Sequence, residues 1–231
     1  IMVCKNSEKT IKKSIESFKN QKYPNKSLIV IDGGSIDNTI NIIKKSDCVD
    51  YFKSVKNLGL YSSINYGIKK CKGDIIGILH SDDLYFDDYV LEKVNQKFKL
   101  NKNKIDYLYS DIVFFNKLNE IKRKWKVGIL NRQDLFRGKF PPHTGIFVKK
   151  KTFKFTGYYN ENYKISSDIE YIFKLINEKN LVGDYLSDYS IKMKLGGLST
   201  KSLKNIVFAN FECYIALKNL KIGSIKSIII V

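Results

Sequence analysis

Hydrophobic positions in the first hundred residues alternate between two periods. In 7–19, Ile11, Ile15 and Phe18 recur at helical spacing, and Tyr23-Pro24-Asn25 breaks the pattern. The run SLIVID (27–32) is short and apolar, as a buried strand is, and Val3-Cys4 reads as the stub of an earlier one. The spacing of Ile36, Ile40 and Ile43 predicts a helix, residues 50–54 a strand, and Leu60–Cys71 a helix with Ile64, Ile68 and Cys71 aligned. Gly73-Asp74 turns the chain into IIGILH (75–80), another apolar strand. A helix through Val90, Val94 and Phe98 follows, with Asp87 or Asp88 as its cap. This βαβαβαβ order predicts an α/β fold with a mainly parallel sheet covered on both faces. Ligands bind such sheets at the carboxyl ends of the strands.

The second half is less regular. Residues 106–116 and 120–127 read as extended segments, 131–138 as a short helix and 144–150 as a strand. Ser167–Lys179 is amphipathic, with Ile169, Ile172, Phe173 and Ile176 on one face. LVGDYLS and YSIKMKL predict two more strands before Gly196-Gly197, and residues 201–221 return to helical spacing with many lysines. No repeat or linker separates the halves, so one continuous sheet is expected.

With 231 residues, 43% of them hydrophobic, the chain can bury a sizeable core. No apolar run approaches the roughly 20 residues that span a bilayer, and no signal-peptide pattern opens the chain. Both ends fall within apolar stretches, which suggests truncation at each. Four scattered cysteines form no CxxC pair, so neither a zinc site nor a disulfide framework is expected, and the cytoplasm is the expected compartment. The formal charge is +18. That surplus fits an anionic partner, such as a membrane surface, a diphosphate or nucleic acid, or else a generally basic surface.

Three acidic places carry the candidate chemistry. Asp82 and Asp83 sit together after the strand 75–80, where adjacent carboxylates repel unless a cation or hydrogen bonds compensate. A divalent cation held by one or two carboxylates plus phosphate oxygens is one reading; a polar turn capping a helix is the other. IDGGS (31–35) follows a strand with flexible glycines, suited either to a ligand approaching the backbone or to an ordinary strand-to-helix turn. Asp168 opens the 167–179 helix, as a dipole-favoured acid or as a general base. His80 reads as a strand-end residue, and His143, in PPHTG, is better placed to face an acceptor. Trp125 and the Tyr158-Tyr159 pair suit either sugar stacking or packing.

Taken in order, KNSEKTIKKSIESFKNQKYPN, IDGGSIDNT, NLGLYSSINYGIKKCKGDII, HSDD, HTGIFVKK, FTGYYNENYKISSDIEY and LGGLST resemble the family 2 glycosyltransferases, an inverting group with a GT-A fold. The resemblance covers about residues 1–200 and implies a single domain. Residues 1–100 would bind the nucleotide sugar and 101–200, with a mixed sheet, the acceptor; 201–231 would be a basic helical extension. It implies that Ser81-Asp82-Asp83 is the DXD-like motif, with Asp83 binding Mn²⁺ or Mg²⁺ and Asp82 the donor. Asn6, Asp32, Gly33 and Asn65 would also belong to the donor side, His143 to the acceptor and Asp168 to catalysis as the base. Two departures stand out: Val3-Cys4-Lys5-Asn6 lacks a base-stacking tyrosine, and Gly33 replaces a second acid found in many members.

The expected activity is inverting transfer of a sugar from a nucleotide diphosphate, a UDP-sugar foremost. The acceptor would be a hydroxyl of a glycan or lipid-linked sugar in bacterial surface-polysaccharide synthesis. The lysine-rich end would allow peripheral contact with the inner face of the plasma membrane. A sugar nucleotidyltransferase is the enzymatic alternative, but the chain lacks the Gly-rich N-terminal signature with Arg and Lys. A nucleic-acid-binding protein is the other, but the lysines are dispersed and no nucleic-acid module appears, so no nucleic-acid partner is expected.

Overall fold

A computed structural model describes residues 1–101, 104–196 and 202–220. Strands β1 (Met2–Cys4), β2 (Ile29–Asp32) and β3 (Tyr51–Ser54) pair in parallel, in that order. Helices α1 (Ile11–Lys19), α2 (Thr39–Lys44) and α3 (Leu60–Lys70) intervene or follow. The alternation of side chains along these strands explains why both faces are covered. Val3, Ile29 and Ile31 pack with Ile64 and Ile68 of α3, while Met2, Cys4 and Val30 pack with Ile11, Ile15 and Phe18 of α1 and Ile43 of α2. Each such fully buried aliphatic side chain stabilises the fold by about 1.5–3 kcal/mol relative to exposure.

A second, six-stranded ladder comprises β4 (Ile75–Gly77), β5 (Leu84–Tyr85), β6 (Tyr107–Phe115), β7 (Ile121–Trp125), β8 (Ile146–Lys149) and β9 (Gly183–Lys194). Its order is β4-β8-β6-β9-β5, with β7 on β6. Only β6–β9 is parallel in this ladder; the other pairs are antiparallel, so the sheet is mixed here as expected. Ile1 N donates to Gly77 O at 2.8 Å and Leu79 N to Ile1 O at 3.0 Å, which joins β4 to β1 and makes the two ladders continuous. Helices α4 (Val90–Leu100), α5 (Arg132–Phe136), α6 (Phe153–Thr156), α7 (Ser167–Asn177) and α8 (Leu203–Asn219) are the remaining α-helices among the described residues.

Four details differ from the sequence pattern. Ile36 is 93% exposed and precedes α2, because its N–H is taken by Asn6 Oδ1 at 2.9 Å and the chain turns there. Tyr89, not Asp87 or Asp88, caps α4; Asp87 Oδ1 instead accepts from Tyr89 N at 2.8 Å and so shapes the turn before it. Regular pairing in β4 stops at Gly77, short of His80. The two strands expected between 181 and 195 are one, β9, whose pairing with β6 jumps from Ser110↔Leu186 to Asp111↔Tyr189. The bulge lets Asp188 meet Lys93 of α4 at 2.6 Å. Gly196 is left-handed, with φ +89°, while Gly197 and the tail from 221 lie outside the described residues.

Candidate active site

The carboxyl ends of β1, β2 and β4 meet through side-chain bonds between their loops. Asn6, exposed and at φ 51°, donates its N–H to Ser35 Oγ at 2.7 Å. Ser7 N donates to Thr39 Oγ1 at 2.7 Å, and Ser7 Oγ lies 2.9 Å from Ser81 Oγ. The last contact ties the first loop to the acidic turn.

Asp32 closes β2 and is fully buried. Its Oδ2 accepts from Gly34 N and Ser35 N, each at 3.0 Å, and from Ser54 Oγ at 2.6 Å; its Oδ1 accepts from Ser35 Oγ. Burial pushes its pKa up, but the bonds from Ser35, Ser54 and Gly34 outweigh it and hold the carboxyl below its ordinary value. Gly34 needs its φ of +85°, and a Cβ there would come within 2.9 Å of Lys56 Cα. The backbone that approaches Gly33 belongs to this chain: Gly33 N donates to Cys4 O at 2.9 Å, and a Cβ would lie 3.1 Å from Leu58 O.

The acidic turn runs from His80 to Asp83, closed by Asp83 N donating to His80 O at 3.1 Å. Asp83 is 2% exposed, and its Oδ1 accepts from Lys194 N, at the end of β9, at 3.0 Å. Its Oδ2 is buried with no hydrogen-bond partner among the described residues. Burial, reinforced by Asp82, raises its pKa well above the ordinary value despite the Lys194 bond. Asp82 is half-buried beside it. An unpartnered buried carboxylate oxygen next to a second carboxylate fits a hard divalent cation. No group of three or more His, Cys, Asp or Glu gathers for a metal among the described residues. A cation held here would therefore take its remaining oxygens from elsewhere, and donor phosphates are the natural source.

Asp168 stands in the first turn of α7. Its Oδ1 accepts from Tyr61 Oη of α3 at 3.2 Å and from Ile169 N at 3.0 Å. Burial raises its pKa to about 6, against the pull of those bonds and of His80. The antiparallel pairing of β4 with β8, Gly77 opposite Phe147, brings the turn His143–Gly145 beside residues 78–80. The His80 and His143 rings are 5.9 Å apart, and His143 Nε2 lies 2.8 Å from Tyr159 Oη. Burial lowers the pKa of both rings; His143 lowers that of His80 further, and the charges of Asp82 and Asp168 oppose this. His80 thus feels the acidic turn and Asp168 together.

A family model described as glycosyl transferase family 2 matches residues 1–169. The chain belongs to that family. Among curated relatives, the poly-beta-1,6-N-acetyl-D-glucosamine synthase of Staphylococcus epidermidis is 27% identical over 208 residues, covering 83% of this chain and 46% of its own. An uncharacterized glycosyltransferase of Haemophilus influenzae is 28% identical over 237 residues, covering 99% of this chain and 90% of its own. This glycosyltransferase chain therefore spans about half the length of the synthase but most of the Haemophilus protein. Residues 1–349 of S. aureus TarS, solved with UDP-GlcNAc, superpose with TM-score 0.74 at 17% identity, over 94% of this chain and 65% of that one. That likeness shows the fold, a GT-A architecture.

The loops after β1, β2 and β4 gather Asn6, Asp32, Gly33, Asp82 and Asp83 at one end of the sheet, and His143 and Asp168 both lie close enough to His80 to act on it. Asn65 is 3% exposed; its Nδ2 donates to Tyr159 O and Glu161 Oε1, both at 2.8 Å, and its Oδ1 accepts from Tyr159 N at 3.0 Å. It holds the loop that carries Tyr159. Tyr159 itself is buried, stacked on Tyr171 at 4.4 Å, so it packs inside the protein, while Trp125, half-buried, stacks on Phe114 at 6.3 Å against the edge of the core. Tyr61, given no role by sequence reasoning, bonds Asp168, and His80, read as a strand-end residue, closes the acidic turn through its carbonyl. The first sits among ordinary helix residues; the second had one signal, its place directly before Ser81-Asp82-Asp83.

Proposed function

We propose that the chain transfers a sugar from a UDP-sugar to a hydroxyl of a glycan or lipid-linked acceptor, with inversion, in the synthesis of a bacterial surface polysaccharide. One observation carries the reading: Asp168, half-buried with its pKa raised to about 6, and the paired-acid turn with its unpartnered buried oxygen both lie within electrostatic reach of His80. Inversion needs a base on the face opposite the departing diphosphate, and a carboxylate of that pKa is ionised at neutral pH yet still accepts a proton. Asp168 takes the acceptor hydroxyl's proton. Asp82 orients the donor, and Asp83 holds Mn²⁺ or Mg²⁺, which would neutralise charge on the leaving diphosphate.

In this reading Asp32 and Asn65 act mainly by holding their loops, while Asn6 and Gly33 border the nucleotide. His143, anchored by Tyr159, borders the acceptor. UDP is favoured because TarS was solved with UDP and with UDP-GlcNAc, and N-acetylglucosamine because of the synthase relatives.

Among the described residues no helix is long and apolar enough to cross a membrane. On α8, Leu203, Val207 and Phe211 are exposed beside Lys204, and this face is where the proposed contact with an anionic membrane would form. Such contact would place the protein at the inner face of the plasma membrane.

Calorimetric titration with UDP-, GDP-, CDP- and dTDP-sugars, with and without Mn²⁺, tests the donor. Metal-dependent binding of UDP-GlcNAc that Asp83→Ala loses supports the reading. Binding of none by folded protein overturns it. The anomeric configuration of the product, read by NMR, tests inversion.

A further inference from the structure

The matched family region ends at residue 169, yet the turn that leads into Asp168 is gripped from outside it. Glu212 of α8 is 4% exposed. Its Oε1 accepts from Lys164 N at 2.7 Å, and its Oε2 accepts from Ile165 N at 2.8 Å and Ser166 N at 3.0 Å. One carboxylate thus satisfies three consecutive backbone donors. Ser166 Oγ donates to Ala209 O, one turn earlier on α8, at 2.9 Å.

On its other side the same segment meets α3, where Tyr61 Oη donates to Ile165 O and also contacts Asp168 Oδ1. Residues 164–166 are therefore fixed between α8 and α3, and Asp168 follows two residues later. The chemistry suits a carboxylate and little else. It presents two acceptor oxygens and no hydrogen, whereas the amide of glutamine has one oxygen and points an N–H₂ at the remaining donor.

We propose that Glu212 is a positioning residue for sugar transfer: through the 164–166 backbone it sets where Asp168 stands, so that α8 completes the acceptor half of the site. The inference rests on Asp168 being the base. Glu212 touches neither the acidic turn nor the β1–β2 loops, so the donor side should not feel its loss. A misplaced base slows the chemical step and leaves binding alone.

The test uses the full chain with Mn²⁺ and UDP-GlcNAc, or whichever of the UDP-, GDP-, CDP- and dTDP-sugars the wild type cleaves, reading nucleotide diphosphate release with water as acceptor. Glu212→Gln should lower kcat by about tenfold or more while the calorimetric donor Kd stays within about twofold. Added to Asp168→Asn, it should cause no further loss, since one acts through the other. An unchanged kcat in Glu212→Gln, or losses that multiply in the double variant, would overturn the inference. Full activity in Asp168→Asn would instead remove the base reading, a separate result. Should Glu212→Gln fail to fold, Ser166→Ala removes the hydroxyl contacts of the same turn with α8, to Ala209 O and to the Cys213 thiol. A lowered kcat at constant donor Kd would then support the inference, and no change would overturn it.

Discussion

Asp32 and Asp83 look alike from a distance: each is a buried acid at the carboxyl end of a strand region, in adjoining parts of one sheet. Their surroundings are opposite. Asp32 accepts from two backbone N–H groups and two serine hydroxyls, and its pKa is held down. Asp83 accepts from one N–H, keeps an unpartnered oxygen, and is pushed up by burial and by Asp82. The first is finished by its own chain. The second is left incomplete: Asp106 and Glu170 also keep a buried oxygen without a hydrogen bond, but each pairs with a lysine, at 2.6 and 3.1 Å, whereas Asp83 has no such ion pair among the described residues, and a group left so is a candidate for completion by a ligand. Asp168, also raised by burial, falls with Asp83 on the unfinished side.

The largest effect is expected on that unfinished side. Asp168→Asn keeps the size of the side chain but removes the proton acceptor, and should cut turnover by about 10²–10⁴-fold with donor binding intact. The wild-type rate should show an acid limb near pH 6, because a base works only when ionised and its pKa is raised to about 6. Below that limb the rate should fall about tenfold per pH unit, as measured by a kcat–pH profile. A profile flat from pH 7 to 5 would detach Asp168 from catalysis and leave the comparison resting on Asp83 alone.

Next comes the finished side. Asp32→Ala strands the N–H groups of Gly34 and Ser35 and the hydroxyls of Ser35 and Ser54, all on half-buried residues. At about 1–3 kcal/mol per unsatisfied group, partly relieved by relaxation, the expected loss of stability is on the order of 3 kcal/mol in urea unfolding. A loss under about 1 kcal/mol would mean that those donors find water, and that Asp32 is less finished than it looks.

How much of this contrast was legible beforehand follows from where the partners sit. The helical spacing of Ile11, Ile15 and Phe18 is local, and all three are buried as the spacing predicts. Ile36 broke the pattern because its N–H donates to Asn6 Oδ1, a tertiary bond that overrides a weak local preference. The acidic turn, Asp32 and Asp168 could be placed at strand and helix ends from order alone. What separates Asp32 from Asp83 could not, since it depends on Ser54 and Lys194, which are 22 and 111 residues away in the chain. Glu212 was invisible for the same reason: it reaches residues 46–48 positions earlier and belongs to no local motif.

A divalent cation should act on only one of the two acids. Mn²⁺ with UDP present should raise the wild-type melting temperature, by an amount equivalent to ~2.7 kcal/mol at a hundredfold excess over Kd. The shift should persist in any Asp32 variant that still folds and vanish in Asp83→Ala. A shift that survives in Asp83→Ala would place the metal elsewhere and dissolve the distinction.

The smallest effect sharpens the comparison most. Without metal, Asp83→Ala at pH 7 should change stability by no more than about 1 kcal/mol, because losing the Lys194 bond is offset by removing a buried charge with no partner. Its pH dependence should run opposite to that of Asp32→Ala. A carboxyl whose folded pKa is raised contributes stability below its unfolded value, near 4, and loses it as pH rises through the folded value. Relative to wild type, Asp83→Ala should therefore fare worse at pH 4–5 than at pH 7. Asp32 is lowered, so its contribution is present at pH 7 and fades as pH falls below about 4. The Asp32→Ala deficit should accordingly shrink in acid. Urea unfolding of both variants at pH 3.5, 5 and 7 would show the two deficits moving in opposite directions. If they moved together, the raised pKa of Asp83 would have no structural meaning, and the unpartnered oxygen would be an ordinary solvated one.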